Sequence, residues 1–373
     1  MTDAVEGCVL TPEGWVAGRV LHAEGRIAAV EGRALAPGEP PPPPYVVPGF
    51  VDLHVHGGGG ADAMEGEPAV RRLARFHARH GTTALAPTTV TAPPAEIASA
   101  LAGIEAVRRD SREGEARVLG AHLEGPFISP ERLGAQPPFA IAPDADLARA
   151  WLALCRIVVV TLAPELPGAE ALIAALSQAG CRVQIGHSLA SAEAAEAALR
   201  SGACGFTHLF NAMSGLDHRR PGVAAAALAY GESAEIIADL RHVAPAMIRA
   251  AARAVPRLHA VTDAISAAGM PDGAYRLGSH RVEKRGETVT MPDGATLAGS
   301  VLTMDRALEN LVGIGLPLER AVAMTSTRPA EHVGRQDIGR IAPGCRADLV
   351  TLGARLAVEA VLVGGRAVPD AGR

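Results

Sequence analysis

From Pro48 onward the chain alternates short apolar runs of β character with Ala-rich stretches of helical texture, and this alternation limits its folding choices more than any other feature. Phe50 to Val55, Arg117 to Leu123, Ile157 to Leu162, Arg182 to Ile185, Ala234 to Ala238 and Leu258 to Val261 are strand-sized; Glu170 to Ala179 and Ser191 to Ser201 are among the helical stretches. Strands alternating with helices predict βαβ units and an α/β fold on a parallel sheet. With 373 residues, the chain has room for a (β/α)₈ TIM-like barrel of about 250 residues and a smaller module. Hydrophobic residues make up 48% but aromatic ones only 3%, so the core must be built from Ala, Val, Leu and Ile.

The ends differ from the middle. The first forty or so residues alternate β-like pieces such as Gly14-Trp15-Val16 and Arg26 to Val30 with turns, then reach five consecutive prolines after Glu39. Prolines extend neither sheet nor helix, so this run is a stiff connector. The tail returns to β texture at Ala347 to Leu352 and Ala360 to Val363. The expected organisation is residues 1–47 as one part of a small β-sandwich, 48–337 as the barrel, and 338–373 as the other part of the sandwich.

A formal charge of −5, with no Lys/Arg run, points away from nucleic-acid and membrane partners and leaves any anionic substrate to local groups. The five cysteines are scattered and never form a Cys-x-x-Cys pair, which suits a reducing compartment. The apolar runs fall short of the roughly 20 residues that span a bilayer, and no signal-like segment opens the sequence; a cytoplasmic location is expected. Lys284 is the only lysine.

Histidines and carboxylates stand near the C-terminal ends of the predicted strands, where (β/α)₈ barrels place their chemistry; doubly wound sheets use one crevice instead. His54 and His56 are two apart in a β-prone run, so a strand points both imidazoles to one side. Glu124, His187 and His208 follow in barrel order, then Asp263. Imidazole nitrogens with a carboxylate oxygen suit Zn²⁺, Fe²⁺, Mn²⁺ or Co²⁺ and not Ca²⁺, so a hydrolytic centre with zinc or iron is expected. His22, His77, His80, His259 and His332 carry no such pattern and read as structural. Gly57 to Gly60 lacks the spacing of a phosphate-binding P-loop.

The words HLEGPF from His122 to Phe127, GHS, THLFNAM, HRRPG from His218 to Gly222, VTDA and LAGSVLTM from Leu297 to Met304 stand in order along nearly the whole chain. In them the chain resembles the N-acetylglucosamine-6-phosphate deacetylases of the amidohydrolase superfamily. The resemblance implies a (β/α)₈ barrel with a small β-sandwich, a homodimer, and removal of acetate from the amino-sugar phosphate. It implies Glu124, His187 and His208 as primary metal ligands, with Asp263 as general base and then general acid. The chemistry agrees: a metal lowers the pKa of water toward about 7, and a carboxylate can take that proton and return it to the leaving amine.

Some family members lack the first His-x-His; here His54 and His56 are both present, which allows one or two metals per subunit. The carboxylated lysine that often bridges two metals in the superfamily is ruled out, because Lys284 lies after Asp263; Glu124 is left as the bridge. The resemblance also places Ala135, Gln136, Asn211, Ala212, Arg219, His242, Leu297, Ala298 and Gly299 around the sugar phosphate, with Arg219 contributed across the dimer interface. There are departures: Gln136 stands where the family has His, Arg220 where it commonly has an acid, and Leu240 where it usually has Gly. N-acetylgalactosamine 6-phosphate and an unphosphorylated sugar are the alternative substrates, and a catalytically inactive binding barrel is the alternative of another class.

Overall fold

The computed structural model describes residues 2–372. Its middle is an eight-stranded parallel barrel: β5 (Phe50–Val55), β6 (Thr82–Thr89), β7 (Ala121–Glu124), β8 (Ile157–Leu162), β9 (Arg182–Ile185), β10 (Gly205–Phe206), β11 (Ser233–Ile237) and β12 (Arg257–Val261). Strands β5 to β10 pair in sequence order, as do β11 and β12. Two main-chain hydrogen bonds complete the ring: Leu209 N–H to Glu235 O at 2.9 Å joins β10 to β11, and Asp263 N–H to His54 O at 2.8 Å joins the end of β12 to β5.

One long helix follows each barrel strand: α1 (Glu67–Arg79), α2 (Pro94–Arg109), α3 (Ala145–Leu154), α4 (Ala169–Gln178), α5 (Ala192–Arg200), α6 (Val223–Tyr230), α7 (Pro245–Ala254) and α8 (Met304–Gly313). Their starts are written in the sequence. Asp144 accepts from the N–H groups of Asp146 and Leu147, Ser191 from that of Ala194, and α1, α2 and α7 carry proline in the first turn, where no N–H is needed. The apolar faces of these helices meet the strands in one large core that includes Leu73, Leu101, Trp151, Ile173, Ile248 and Leu308. Fully burying such side chains contributes roughly 1.5–3 kcal/mol each. Gly81 opens β6 because a Cβ there would come within 2.6 Å of the Phe50 ring.

The ends of the chain form one seven-stranded sheet. Its members are β1 (Asp3–Thr11), β2 (Gly14–Ala23), β3 (Arg26–Ala34), β4 (Tyr45–Pro48), β16 (Leu349–Leu352), β17 (Val358–Val363) and β18 (Arg366–Ala367), in the order β18-β17-β16-β4-β1-β2-β3. The sheet rolls on itself, since Ile27 in β3 bonds Cys345 and Gly344 at 2.8 Å each. The roll closes over Val9, Val20, Val46, Ile341 and Leu349. A three-stranded meander, β13 (Gly273–Leu277), β14 (His280–Arg285) and β15 (Thr288–Thr290), follows β12. Among the described residues no helix is long and apolar enough to cross a membrane.

Candidate metal centre

The histidines and carboxylates of interest leave the barrel at the C-terminal ends of its strands and converge. Glu124, the last residue of β7, is the hub. Its Oε1 lies 3.1 Å from both His187 Nε2 and His208 Nε2, and its Oε2 lies 3.2 Å from His56 Nε2. Asp263 Oδ1 is 3.2 Å from His56 Nε2 and 3.5 Å from His54 Nε2. The result is two adjacent sets of donors, Glu124/His187/His208 and His54/His56/Asp263, with a third, His54/His122/Glu235, sharing His54 behind them, all buried.

The backbone at these points is unusual. His187 (φ 47°), His208 (φ 28°), Ala212 (φ 49°), Leu240 (φ 61°) and Asp263 (φ 50°) all lie in the left-handed region, which side chains beyond glycine rarely adopt. Each follows a strand end where the main chain turns, and His187, His208, Ala212 and Asp263 thereby line the cleft at the barrel mouth. Strain of this kind persists only where surrounding structure enforces it. Gly186 permits the approach before His187, because a Cβ there would meet Thr207 at 2.7 Å and Thr161 at 2.9 Å.

Outer partners orient the rings. Glu235 Oε2 lies 2.9 Å from His54 Nδ1, so that Nδ1 donates and Nε2 is left free to face the centre. Arg132 O accepts from His187 Nδ1 at 2.8 Å. Asp52 accepts from the Thr262 hydroxyl at 2.6 Å and from the main chain of Thr262 and His54, which ties β5 to the segment carrying Asp263. Burial drives Asp52 up to about 7 despite those hydrogen bonds. Gln136 donates to Glu124 and accepts from Thr91 N–H at 2.7 Å, so both ends of its amide are engaged.

The electrostatics call for positive charge. Burial works against an imidazolium at His56, yet the carboxylates of Asp263 and Glu124 outweigh it and hold its pKa up at about 9. His54 moves well upward through Glu124, Glu235 and Asp263, again against burial. Burial also opposes the charge on Glu124, but His54, His187 and His208 keep its carboxyl well below the ordinary range. Ring nitrogens also face one another, with His187 and His208 Nε2 at 3.0 Å and His54 and His56 Nε2 at 3.2 Å. Such a pair is relieved by a proton or a cation between the atoms. Imidazole nitrogens with carboxylate oxygens are the donor set of a borderline divalent metal, so these residues fit one.

A cleft of about 350 Å³ opens onto this centre. Of the residues expected around a substrate, Ala135, Gln136, Asn211, Ala212, His242, Leu297 and Gly299 line it. Ala298 does not; its side chain is buried in an apolar cluster with Val90, Ile265 and Leu277, leaving only its main chain near the cleft. Arg219 is exposed, and it is absent from the lining formed by its own chain. Its N–H and that of Arg220 bond Asp217 at 2.8 Å. His242 Nδ1 lies 2.6 Å from Asp239 Oδ2. Leu240, in the place of the usual glycine, adopts the left-handed backbone a glycine would take.

Sequence reasoning missed Glu235, Asp52, Gly134, Leu277, Ala295 and Thr296. Glu235 carried a signal, as a lone acid inside the apolar run Ala234 to Ala238; so did Asp52, two residues before His54. Leu277 reaches the cleft from the unforeseen meander, and Ala295 and Thr296 from the loop that follows it.

Residues 45–368 match the model of the amidohydrolase family. The chain is 40% identical to the N-acetylgalactosamine-6-phosphate deacetylase of Escherichia coli O157:H7 (96% of this chain, 97% of that one). It is 38% identical to the N-acetylglucosamine-6-phosphate deacetylase of Vibrio furnissii (94% and 90%). The chain belongs to the amidohydrolase family, in its N-acetylglucosamine-6-phosphate deacetylase branch. Among solved structures, a mutant N-acetyl-D-glucosamine-6-phosphate deacetylase of Mycobacterium smegmatis in complex with N-acetyl-D-glucosamine-6-phosphate superposes with a TM-score of 0.89 at 35% identity, over 99% of each chain. The enzyme of Thermotoga maritima gives 0.88 at 31%, over 98% of this chain and 99% of that one. The (β/α)₈ barrel with its terminal sheet, expected from the alternation of strands and helices, is thereby shown.

Proposed function

We propose that this deacetylase-family chain hydrolyses the acetamide of N-acetylglucosamine 6-phosphate to acetate and glucosamine 6-phosphate. The observation that carries the reading is the position of Asp263, whose Oδ1 touches both His54 and His56 at the mouth of a cleft walled by Asn211, Ala212 and His242. Glu124, His187 and His208 would hold a divalent cation, zinc or iron first, and His54 and His56, with Glu124 beside them, would hold a second one. A cation there supplies Lewis acidity, lowering the pKa of water and polarising the acyl oxygen. Asp263 takes the proton of the attacking water and returns it to the amine nitrogen as the C–N bond breaks, since an unprotonated amine is a poor leaving group. Glu235 keeps His54 in the tautomer that presents Nε2. Gln136, with its amide already spent on Glu124 and Thr91, fixes the orientation of the Glu124 carboxylate and bounds the acetyl end of the cleft.

On this reading residues 48–337 carry the chemistry, residues 1–47 and 338–373 cover the barrel, and Arg219 reaches the phosphate in the partner subunit of a homodimer working in the cytoplasm. The identity to an N-acetylgalactosamine-6-phosphate deacetylase supports a second reading, in which the 4-epimer is preferred. Acetate release from N-acetylglucosamine 6-phosphate, N-acetylgalactosamine 6-phosphate and unphosphorylated N-acetylglucosamine, with metal analysis on the same sample, tests both. A higher kcat/KM for the galactosamine ester reassigns the substrate; no release from any of the three ends the proposal.

A further inference from the structure

At the opposite end of the barrel, where the terminal sheet meets the loop before β7, lies a cavity of about 610 Å³. It is lined by His22, Arg112, Arg117, Arg346 and the turn Gly364-Gly365. Two of its cations are accounted for. Arg112 bonds Asp110 at 2.9 and 3.0 Å, and Arg366 faces Glu113 at 3.6 Å. Arg117 and Arg346 are less fully engaged: the Nε atom of each is buried without a hydrogen-bond partner, as is Asp348 Oδ2 beside them. The acid between them is Asp348, whose Oδ2 stays 3.7 Å from Arg346 Nε while its Oδ1 accepts from Gly364 N–H. Neighbouring Arg335 is taken up by Asp337 at 2.7 and 2.9 Å. Asp3 and Glu24, the remaining acids of the lining, are exposed at its rim.

The two guanidinium tips share one spot. Gly364 (φ 57°) has no side chain, and the place a Cβ would occupy is 2.9 Å from Arg346 Nη2 and 3.8 Å from Arg117 Nη2. His22 adds a polar wall: it is only 4% exposed, and among the described residues its ring has no hydrogen bond. Both side chains are half-buried with their Nε atoms fully covered, and Asp348 is the one carboxylate set between these two cations; a covered polar group is stabilised by a hydrogen-bonding partner. A tetrahedral oxyanion offers several acceptors to two forked donors and an imidazole at once, which a single carboxylate at 3.7 Å does not.

We propose that this cavity is a second anion site, separate from the metal centre, that binds the phosphate group of a small ligand between Arg117, Arg346 and His22. Inorganic phosphate and a sugar phosphate ester present the same group, so both are probes. Equilibrium dialysis of the metal-loaded protein with each should reveal, besides binding at the metal cleft, a phosphate-binding event that Arg346→Gln weakens by at least about tenfold while kcat/KM for deacetylation stays unchanged. Binding of inorganic phosphate without the ester identifies the free ion as ligand; binding of the ester with higher affinity identifies the sugar phosphate. Should Arg346→Gln fail to fold, Arg346→Lys and His22→Asn carry the measurement, each with weakened binding expected. Unaltered phosphate binding in the folded variants, or no event beyond the metal cleft, means that solvent alone fills the cavity and overturns the proposal.

Discussion

His54 and His56 at the barrel mouth and His122 and His332 deeper in the barrel are all buried, yet they move in opposite directions. At the mouth His56 is held at about 9 by Asp263 and Glu124. Deeper, burial pushes His122 and His332 down to about 3. The lower rings have neutral partners: His122 meets Leu53 O and the Thr161 hydroxyl at 2.9 and 2.8 Å, and His332 meets Gln184 and the Ser233 hydroxyl at 3.0 Å each. Burial alone therefore favours a neutral ring, and only converging carboxylates reverse it. The mouth gathers carboxylates that favour positive charge, whereas the interior below pairs its rings with neutral groups. The backbone divides the same way, with His187, His208, Leu240 and Asp263 at positive φ at the mouth and parallel strand pairing below.

The largest expected effect concerns the mouth. Asp263→Asn should retain fold and metal while lowering kcat by roughly 10²- to 10⁴-fold, the usual contribution of a general acid–base group. Turnover and metal stoichiometry measured on one preparation decide it; near-normal turnover would detach Asp263 from proton transfer. Next, His54→Asn combined with His56→Asn should reduce a two-metal occupancy to about one, because Glu124, His187 and His208 remain as a complete set. Elemental analysis after reloading reads the result, and two metals retained would show that these imidazoles are not ligands.

The lower histidines give a smaller effect of defined sign. The folded-state pKa of His332 lies near 3, below the ordinary value of about 6.5, so the unfolded chain binds more protons as pH falls through that window. Stability is then full above pH 6.5 and declines as the medium is acidified. Replacing His332 by non-titrating Gln removes this slope, so the stability gap between wild type and variant should narrow by about 2 kcal/mol between pH 7 and pH 5. Denaturant titrations at the two pH values measure it. A constant gap would place His332 among ordinary histidines and weaken the contrast with His56.

How much of this was legible follows from what each feature depends on. The barrel showed in the spacing of Phe50 to Val55, Ile157 to Leu162 and Arg182 to Ile185, because strand period and helix period are local properties. His54 and His56 were legible as a pair for the same reason. The strands Thr82–Thr89 and Gly205–Phe206 were not, since one is rich in Thr and interrupted by proline and the other is two residues long; their pairing comes from the strands beside them. The meander from Gly273 to Thr290 was hidden by its charged, solvent-facing alternation, although Gly278 and Gly286 marked its turns. Glu235 illustrates the general limit: its identity is visible in the sequence, but its partner His54 stands 181 positions away.

The smallest effect probes backbone shape at the mouth. Leu240 holds φ 61° in a conformation that costs an L-residue roughly 1–2 kcal/mol and costs glycine almost nothing. The side chain also packs partly against the main core, so removing it has a cost of its own. The two contributions separate when Leu240→Gly is compared with Leu240→Ala. Both variants lose the packing, but only the glycine relieves the strain, so glycine should be the more stable by about 1 kcal/mol, even though alanine leaves the unfolded chain with less freedom. At a position with an ordinary backbone the order is reversed. Thermal or denaturant unfolding of the pair reads the sign directly. Alanine as the more stable variant would mean that the left-handed turn before His242 is not enforced, and that the strained mouth and the relaxed interior differ in charge but not in backbone.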